Sequence, residues 1–164
     1  MGRGAPGRRS RGQSLIEFAM VLVPFLLLVL GGVSAAFHSF QREVAETAAA
    51  AGVQAAASAT AADPARPALD AAVQPTLELL RPALLGSSVA VVTGRRCDPL
   101  GSIPEGQLQV CTWLDPAVRD AQGRPALVGE TVRGTPLPLV PLLGNPLPRA
   151  IDVSLEVRTV TYQQ

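Results

Sequence analysis

The chain has 164 residues, of which 48% are hydrophobic and 4% aromatic, and its 14 basic and 13 acidic residues give a formal net charge of +1. This length suits one domain, or a small domain with an appendage. Near neutrality argues against binding nucleic acid through bulk charge. Two cysteines and one histidine cannot supply the four ligands of a structural zinc site, and we expect no metal or cofactor.

The charge is unevenly distributed along the chain. Residues 1–12 hold four arginines, four glycines and no acid, which leaves ten arginines against 13 acids in the other 152 residues, a net charge of −3. A short Gly-rich basic segment cannot form a stable helix or bury apolar surface. We interpret residues 1–12 as a basic leader.

The most apolar part of the chain follows this leader. No charged residue occurs between Glu17 and Arg42, and residues 18–37 are interrupted only by Pro24, Ser34 and small residues. A membrane-spanning helix needs about 20 mostly apolar residues, so the sequence predicts one transmembrane helix here. The four arginines before it place the N-terminus in the cytoplasm and the residues from about 40 onward outside.

The segment at the start of this span has two interpretations. Residues 14–17 (SLIE) fit a capping box, in which a serine hydroxyl and a glutamate carboxylate satisfy the first backbone N–H groups of a helix. In this interpretation Glu17 acts only as a capping residue at the helix start. It lies shallow enough to reach the headgroups, and its negative charge suits the helix dipole.

The second interpretation is a processing site. A basic leader ends at Gly12, Gln13 follows, and Glu17 and Phe18 occupy the fifth and sixth positions after that glycine, directly before the apolar span. An Ala-rich stretch over 48–58 comes after the span, with Gln54 where an arginine is common. These features resemble the TadE-like family, which consists of pilin-like proteins of tight-adherence (Flp) pilus assembly.

The resemblance implies a function as a minor pilin-like subunit in the cell membrane. It implies cleavage by a prepilin peptidase after Gly12, so that Gln13 becomes the first mature residue. It also implies that Glu17 pairs with the N-terminal amine of a neighbouring subunit, and that the partners are other pilin-like subunits and membrane proteins of pilus assembly. The chain has no lysine, so that amine would be the only one in the mature protein.

Two alternatives to this processing remain open. A secretory signal peptide would use the arginines as its basic region and a small-residue cleavage site at Ser34, Ala35 and Ala36, which makes Phe37 the first mature residue. A plain single-pass anchor would keep the leader intact. Either would leave an extracytoplasmic binding domain without a pilus role.

The residues after the span predict more helix. Eleven of the 18 residues over 45–62 are alanine, the best helix former, and small side chains allow close helix packing. The alternative is a low-complexity stalk. Asp63 and Pro64 predict a new helix start, followed by an apolar face that Pro75 and Pro82 kink (Leu69, Val73, Leu77, Leu80, Leu84). We therefore divide the chain into 1–12, 13–62 and 63–164.

The C-terminal part predicts strands over 87–94, 107–114 and 151–159, the last with the clearest alternation of apolar and polar residues. The predicted fold is α+β: a long N-terminal transmembrane and stalk helix, then a small extracytoplasmic domain with a short antiparallel sheet. Residues 134–148 contain five prolines and predict an irregular loop.

Cys97 and Cys111 predict a disulfide outside the cytoplasm, with two free buried thiols as the alternative. In the chain-entropy model, closing a loop of about 15 residues stabilises by roughly 3 kcal/mol. No nucleophile motif, Walker loop or His-carboxylate cluster is present. We therefore do not expect an enzyme.

Overall fold

The fold is described from a computed structural model, over residues 10–62, 68–137 and 150–159. Helix α1 runs from Ser10 to Ala62, 53 residues, which corresponds to about 80 Å at 1.5 Å per residue. It continues through Pro24. Proline lacks a backbone N–H and removes one helical hydrogen bond, and membrane-spanning helices tolerate it. The helix predicted for 38–62 is confirmed as its second half. Since α1 begins at Ser10, it starts earlier than the capping-box spacing at Ser14 predicted.

The segment after α1 is a broken helix, as the prolines predicted. A 3₁₀ turn over Leu69–Ala72 leads into helix α2 over Val73–Leu80, and a second 3₁₀ turn covers Arg81–Ala83. The predicted start at Asp63 and Pro64 lies outside the described residues. Most of the predicted apolar face is only half-buried, with Leu80 fully buried, and the buried positions beside it are small or polar: Ala72, Thr76 and Ala83.

Four strands form one mixed sheet in the order β1-β2-β3-β4. Their bounds are Ser88–Thr93, Gln107–Leu114, Leu127–Gly134 and Ile151–Arg158. The pairs β2/β3 and β3/β4 are antiparallel, with Thr112 opposite Glu130 and Val132 opposite Val153. The three predicted strands are confirmed.

Two features of the sheet differ from the prediction. Strand β3 was not predicted, and β1 pairs with β2 in parallel, with Val91 opposite Val110. The parallel pair arises because the chain between the two strands crosses back along the sheet through residues 94–106, including a 3₁₀ turn over Leu100–Ser102. The sheet is thus mostly antiparallel with one parallel pair. The predicted loop over 134–148 lies largely outside the described residues.

The core lies between the second half of α1 and one face of the sheet. One buried cluster joins Ala45, Ala48 and Ala49 of α1 to the sheet and to Leu80. A second joins Val53, Ala56 and Ala57 to Ala72 and Val128. Since small side chains bring α1 close to the strands, the Ala-rich stretch is a packing surface, as predicted, and this part of α1 is a structural element of the domain.

Candidate functional site: the membrane helix and its junction with the sheet

The first half of α1 has no protein surface covering it. Its large apolar side chains from Leu15 to Val33 are nearly all exposed, among them Phe18, Phe25 and Leu28. Among the described residues, α1 is the one helix long and apolar enough to cross a membrane. A stretch this apolar with no buried face requires a non-aqueous environment or a partner.

Polar side chains in and just after this stretch bond back to the helix itself. The Ser34 hydroxyl donates to the Leu30 carbonyl oxygen at 2.8 Å, and the Ser39 hydroxyl donates to the Ala35 carbonyl oxygen at 3.2 Å. Such bonds spare a hydroxyl the cost of standing unpaired in lipid. The segment therefore meets the backbone and side-chain requirements of a membrane span.

The predicted processing residues lie together in the first turns of α1. Gly12 and Gln13 are on the helix, and Glu17 and Phe18 follow on its exposed surface. At 1.5 Å per residue, Glu17 lies about 8 Å further along the helix than Gly12. A peptidase acting between Gly12 and Gln13 would need the first turn to unwind, and helix ends fray readily.

The head, by which we mean the described residues from 68 onward, joins α1 where its exposed half ends. Gln41 is buried, and its side-chain amide donates to the Ala83 carbonyl oxygen at 2.9 Å. From there α2 lies antiparallel to α1, because Ala83 is level with Gln41 and Ala72 is packed against Val53 and Ala56. No linker separates the exposed half of α1 from the half that packs.

A buried carboxyl group lies at the centre of this junction. Glu130 of β3 shares the helix-facing side of its strand with Val128 and Val132, and it has no solvent exposure. Its carboxyl group lies against Gly52 of α1, where an added Cβ would overlap both that carboxyl and the Thr76 hydroxyl. Gly52 is therefore the space into which Glu130 fits.

The Thr76 hydroxyl donates a hydrogen bond to the Glu130 carboxyl group. The Thr76 hydroxyl oxygen lies 2.6 Å from Glu130 Oε1 and 2.8 Å from the Ala72 carbonyl oxygen. A hydroxyl has one proton to donate. The Ala72 carbonyl oxygen competes for the same proton, so Glu130 receives at most one hydrogen bond from an uncharged hydroxyl.

Burial favours the neutral form of the Glu130 carboxyl group. It raises the pKa of Glu130 from 4.5 to about 7, and the hydrogen bond from Thr76 opposes this only partly. Among the described residues, no salt bridge reaches Glu130, and its Oε2 has no hydrogen-bond partner. An ionised Glu130 would therefore be a buried charge with one hydrogen bond from a hydroxyl and no cation beside it.

This junction was not predicted from the sequence. The signal was present in strand β3, where one glutamate occupies an apolar position of an alternating pattern between Val128 and Val132. Two glycines in the same stretch, Gly129 and Gly134, obscure the strand. Gly129 is required because the Trp113 ring lies on it, in the space that a Cβ would fill.

The outer face of the sheet carries the predicted disulfide. Cys97 and Cys111 are bonded, with their Cα atoms 5.4 Å apart, so the prediction is confirmed. The loop that holds Cys97 also brings the Arg96 guanidinium to 4.0 Å from the centre of the Trp113 ring, a cation–π contact. The Gln109 side chain bonds Asp98 at 2.9 Å. These contacts fix the crossover loop that makes β1 parallel to β2.

The comparisons with known proteins bear on α1. Residues 12–54 match the family of TadE-like proteins. No curated protein and no solved structure gives a significant match. The TadE-like match begins at Gly12, includes Glu17 and Phe18, and ends two residues after Gly52, which confirms the predicted resemblance. The TadE-like segment thus covers both the exposed half of α1 and the first turns that pack on the sheet.

Proposed function

We propose that this protein is a non-enzymatic, pilin-like minor subunit that acts in the assembly of a Tad/Flp-type pilus or a related secretion apparatus. The observation that carries this proposal is the TadE-like match over residues 12–54 on a helix whose first half is apolar and uncovered. A pilin-like subunit needs such a helix to remain in the membrane and to pack against other subunits.

The proposed topology is single-pass. The leader 1–12 lies in the cytoplasm, α1 crosses the membrane, and the head lies outside. The four leader arginines support this orientation, and the Cys97–Cys111 disulfide supports an oxidising compartment for the head. A prepilin peptidase cleaves after Gly12, and Glu17 then meets the new amine of a neighbouring subunit.

The mature N-terminus tests the proposal. We expect mass spectrometry of the protein, purified from membranes of cells that contain the prepilin peptidase, to find Gln13 first, and to find Met1 or Gly2 first when the peptidase is absent. Gly12→Leu should block the cleavage, with Gly4→Leu in the same leader as the matched control. Phe37 as the first residue would indicate a signal peptide and contradict the proposal.

An intact leader in the presence of the peptidase would favour the second candidate, a membrane-anchored extracytoplasmic binding domain without a pilus role. The observation that favours it is the extent of the match, which ends at residue 54 and leaves the sheet outside. Co-purification distinguishes the two: a pilin-like subunit carries other pilin-like chains with it from detergent-solubilised membranes.

A further inference from the structure

The two ends of the head differ in their surface. The proximal end, level with Gln41, consists of the turn over 84–87, residues 104–106 and residues 135–137. The distal end, beyond Ala57, consists of the loop over 115–126. Beyond residue 38, the large apolar side chains exposed among the described residues are five in number, and all except Val91 lie at or beside the proximal end: Phe40, Leu79, Leu85 and Leu137.

The distal end presents polar groups instead. Asp120 accepts hydrogen bonds from the Gln122 and Arg124 backbone N–H groups and pairs with the Arg124 guanidinium at 2.8 Å. These bonds lower the pKa of Asp120, most of all the backbone bond from Arg124. Since both ends belong to the same small head, the asymmetry indicates that the two ends face different surroundings.

Leu85 is the most unusual residue of the proximal end. It has φ 41°, and Gly86 after it has φ 84°, while the Ser87 N–H donates to the Leu84 carbonyl oxygen at 2.7 Å. Turns with two positive φ values favour Asn-Gly, and a bulky residue there is strained. Leu85 is also 47% exposed, so packing inside the head does not explain a leucine in this position.

The turn at Leu85 lies close to the level at which α1 leaves the predicted span. A span over 18–37 would fill a hydrocarbon core of about 30 Å. Gln41, which holds Ala83, lies four residues later, roughly 6 Å further along the helix, within the interfacial layer of a bilayer. The chain runs towards the span through Arg81–Ala83, reverses at Leu85 and Gly86, and runs away from it in β1.

A second segment meets the turn at the same level. The Leu137 N–H donates to the Ser87 hydroxyl at 2.9 Å, which holds an exposed leucine beside Leu85. On the neighbouring side, an open and mostly apolar groove of about 320 Å³ lies between α1 and α2, lined by Phe40, Val44, Leu79 and Pro82 together with Glu43 and Thr47. Exposed apolar side chains therefore occur both on α1 beside the span, at Phe40, and at the turn, at Leu85 and Leu137.

We propose that the proximal end of the head is a membrane-docking surface, in which Leu85 and Leu137 enter the headgroup layer of the bilayer that α1 spans. This inference rests on the proposed single-pass topology. The charges near this end are not an excess of cations, since Arg42 pairs with Glu46 and Arg81 is accompanied by Glu43 and Glu105, so the docking is apolar and does not require anionic lipid.

A fluorescent probe at position 85 tests the docking. The full chain is reconstituted in phosphatidylcholine vesicles with an environment-sensitive label on Leu85→Cys, and with Ala121→Cys of the distal end as the matched control. Mass analysis confirms that the Cys97–Cys111 bond is intact in both. We expect quenchers attached to lipid near the headgroup to lower emission at position 85 at least about twofold, and aqueous iodide to quench position 121.

The outcomes separate docking from anchoring. Carbonate extraction of the protein from the vesicles would contradict the anchor itself, and with it the docking. Retention of the protein with position 85 open to iodide would overturn the docking alone. Shielding that lipid quenchers do not reach, and that disappears on dilution with lipid, would show that a second copy covers this end, and would also overturn it.

A substitution that keeps the turn gives a second test. Leu85→Asn accepts the left-handed conformation and removes the apolar side chain, so the melting temperature in detergent should be unchanged or higher. In lipid nanodiscs we expect backbone amide exchange at 85–88, Thr135 and Leu137 to rise by about tenfold. Val91→Asn, exposed on β1, is the control. Equal exchange in the two variants would contradict the docking.

Discussion

The two halves of α1 are one continuous helix with opposite packing. From Leu15 to Val33 the large apolar side chains are nearly all exposed, and from Ala45 to Thr60 the buried residues are mostly small. Helix propensity is satisfied in both halves, so propensity does not decide where α1 packs. Side-chain size decides it: large residues suit lipid or other subunits, and alanine and glycine allow a close approach to the strands.

Gly52→Leu should have the largest effect on the stability of the head. The added side chain would occupy the space of the Glu130 carboxyl and the Thr76 hydroxyl. Overpacking a buried site costs up to about 3 kcal/mol, and more when a buried polar group is displaced. For a head of this size we expect the melting temperature in detergent micelles to fall by roughly 15 °C.

Gly32→Leu is the matched control in the exposed half, since nothing lies within 4 Å of the added Cβ. Its effect on the melting temperature of the head should be small. If Gly32→Leu destabilised the head as much as Gly52→Leu, the distinction between the two halves would be wrong.

Glu130 should make the head less stable as the pH rises. Burial raises its pKa in the folded state from 4.5 to about 7, so the folded protein holds a proton that the unfolded chain has lost. The stabilisation is complete below pH 4.5 and declines as the pH rises to about 7. At about 1.4 kcal/mol per pH unit, the decline is on the order of 3 kcal/mol.

Thermal unfolding of the wild type and Glu130→Gln between pH 4 and 8 checks this pH dependence. The variant keeps the shape and cannot ionise, so we expect it to match the wild type near pH 4 and to exceed it near pH 8. Asp98 and Asp120 have lowered pKa values. Their protonation at low pH therefore lowers the stability of the head in both proteins. Parallel curves for the two would contradict a protonated Glu130.

Glu17→Gln should have the smallest effect on the head and a large effect on assembly. Glu17 is exposed in the first turns of α1, far along the helix from the sheet. The free energy of unfolding of the head should therefore change by less than about 0.5 kcal/mol, and the change in melting temperature should be correspondingly small. Co-purification with other pilin-like chains should be lost, because the variant lacks the charge that we propose pairs with a neighbouring amine. Glu46→Gln, on the exposed side of the packing half, is the control, and retained assembly in Glu17→Gln would remove the ion-pair role.

The predictability of each element from sequence follows its local pattern. Strand β4 alternates apolar and polar residues without exception and was predicted within one residue. Strand β3 contains two glycines and a glutamate on its buried face, so its pattern fits neither an exposed nor a buried strand. The reasons for these residues are tertiary: Gly129 makes room for Trp113, and Glu130 requires Gly52 on a helix 78 residues earlier in the chain.

The candidate site was likewise predictable from the sequence only where its pattern is local. The spacing of Gly12, Glu17 and Phe18 is local and pointed to the family that the comparison found. The disulfide was predictable from compartment and cysteine count. The contact between Gln41 and Ala83, and the parallel pairing of β1 with β2, depend on how distant segments cross in space, and no short window of the sequence contains that information.

Trp113 gives the molecule an intrinsic optical reporter. It is the single tryptophan of the chain, it is buried on the outer face of the sheet, and it touches both Gly129 and the Arg96 guanidinium. Its emission therefore reports the folding of the strands and the closure of the disulfide loop, and it does so separately from the span, which contains no tryptophan.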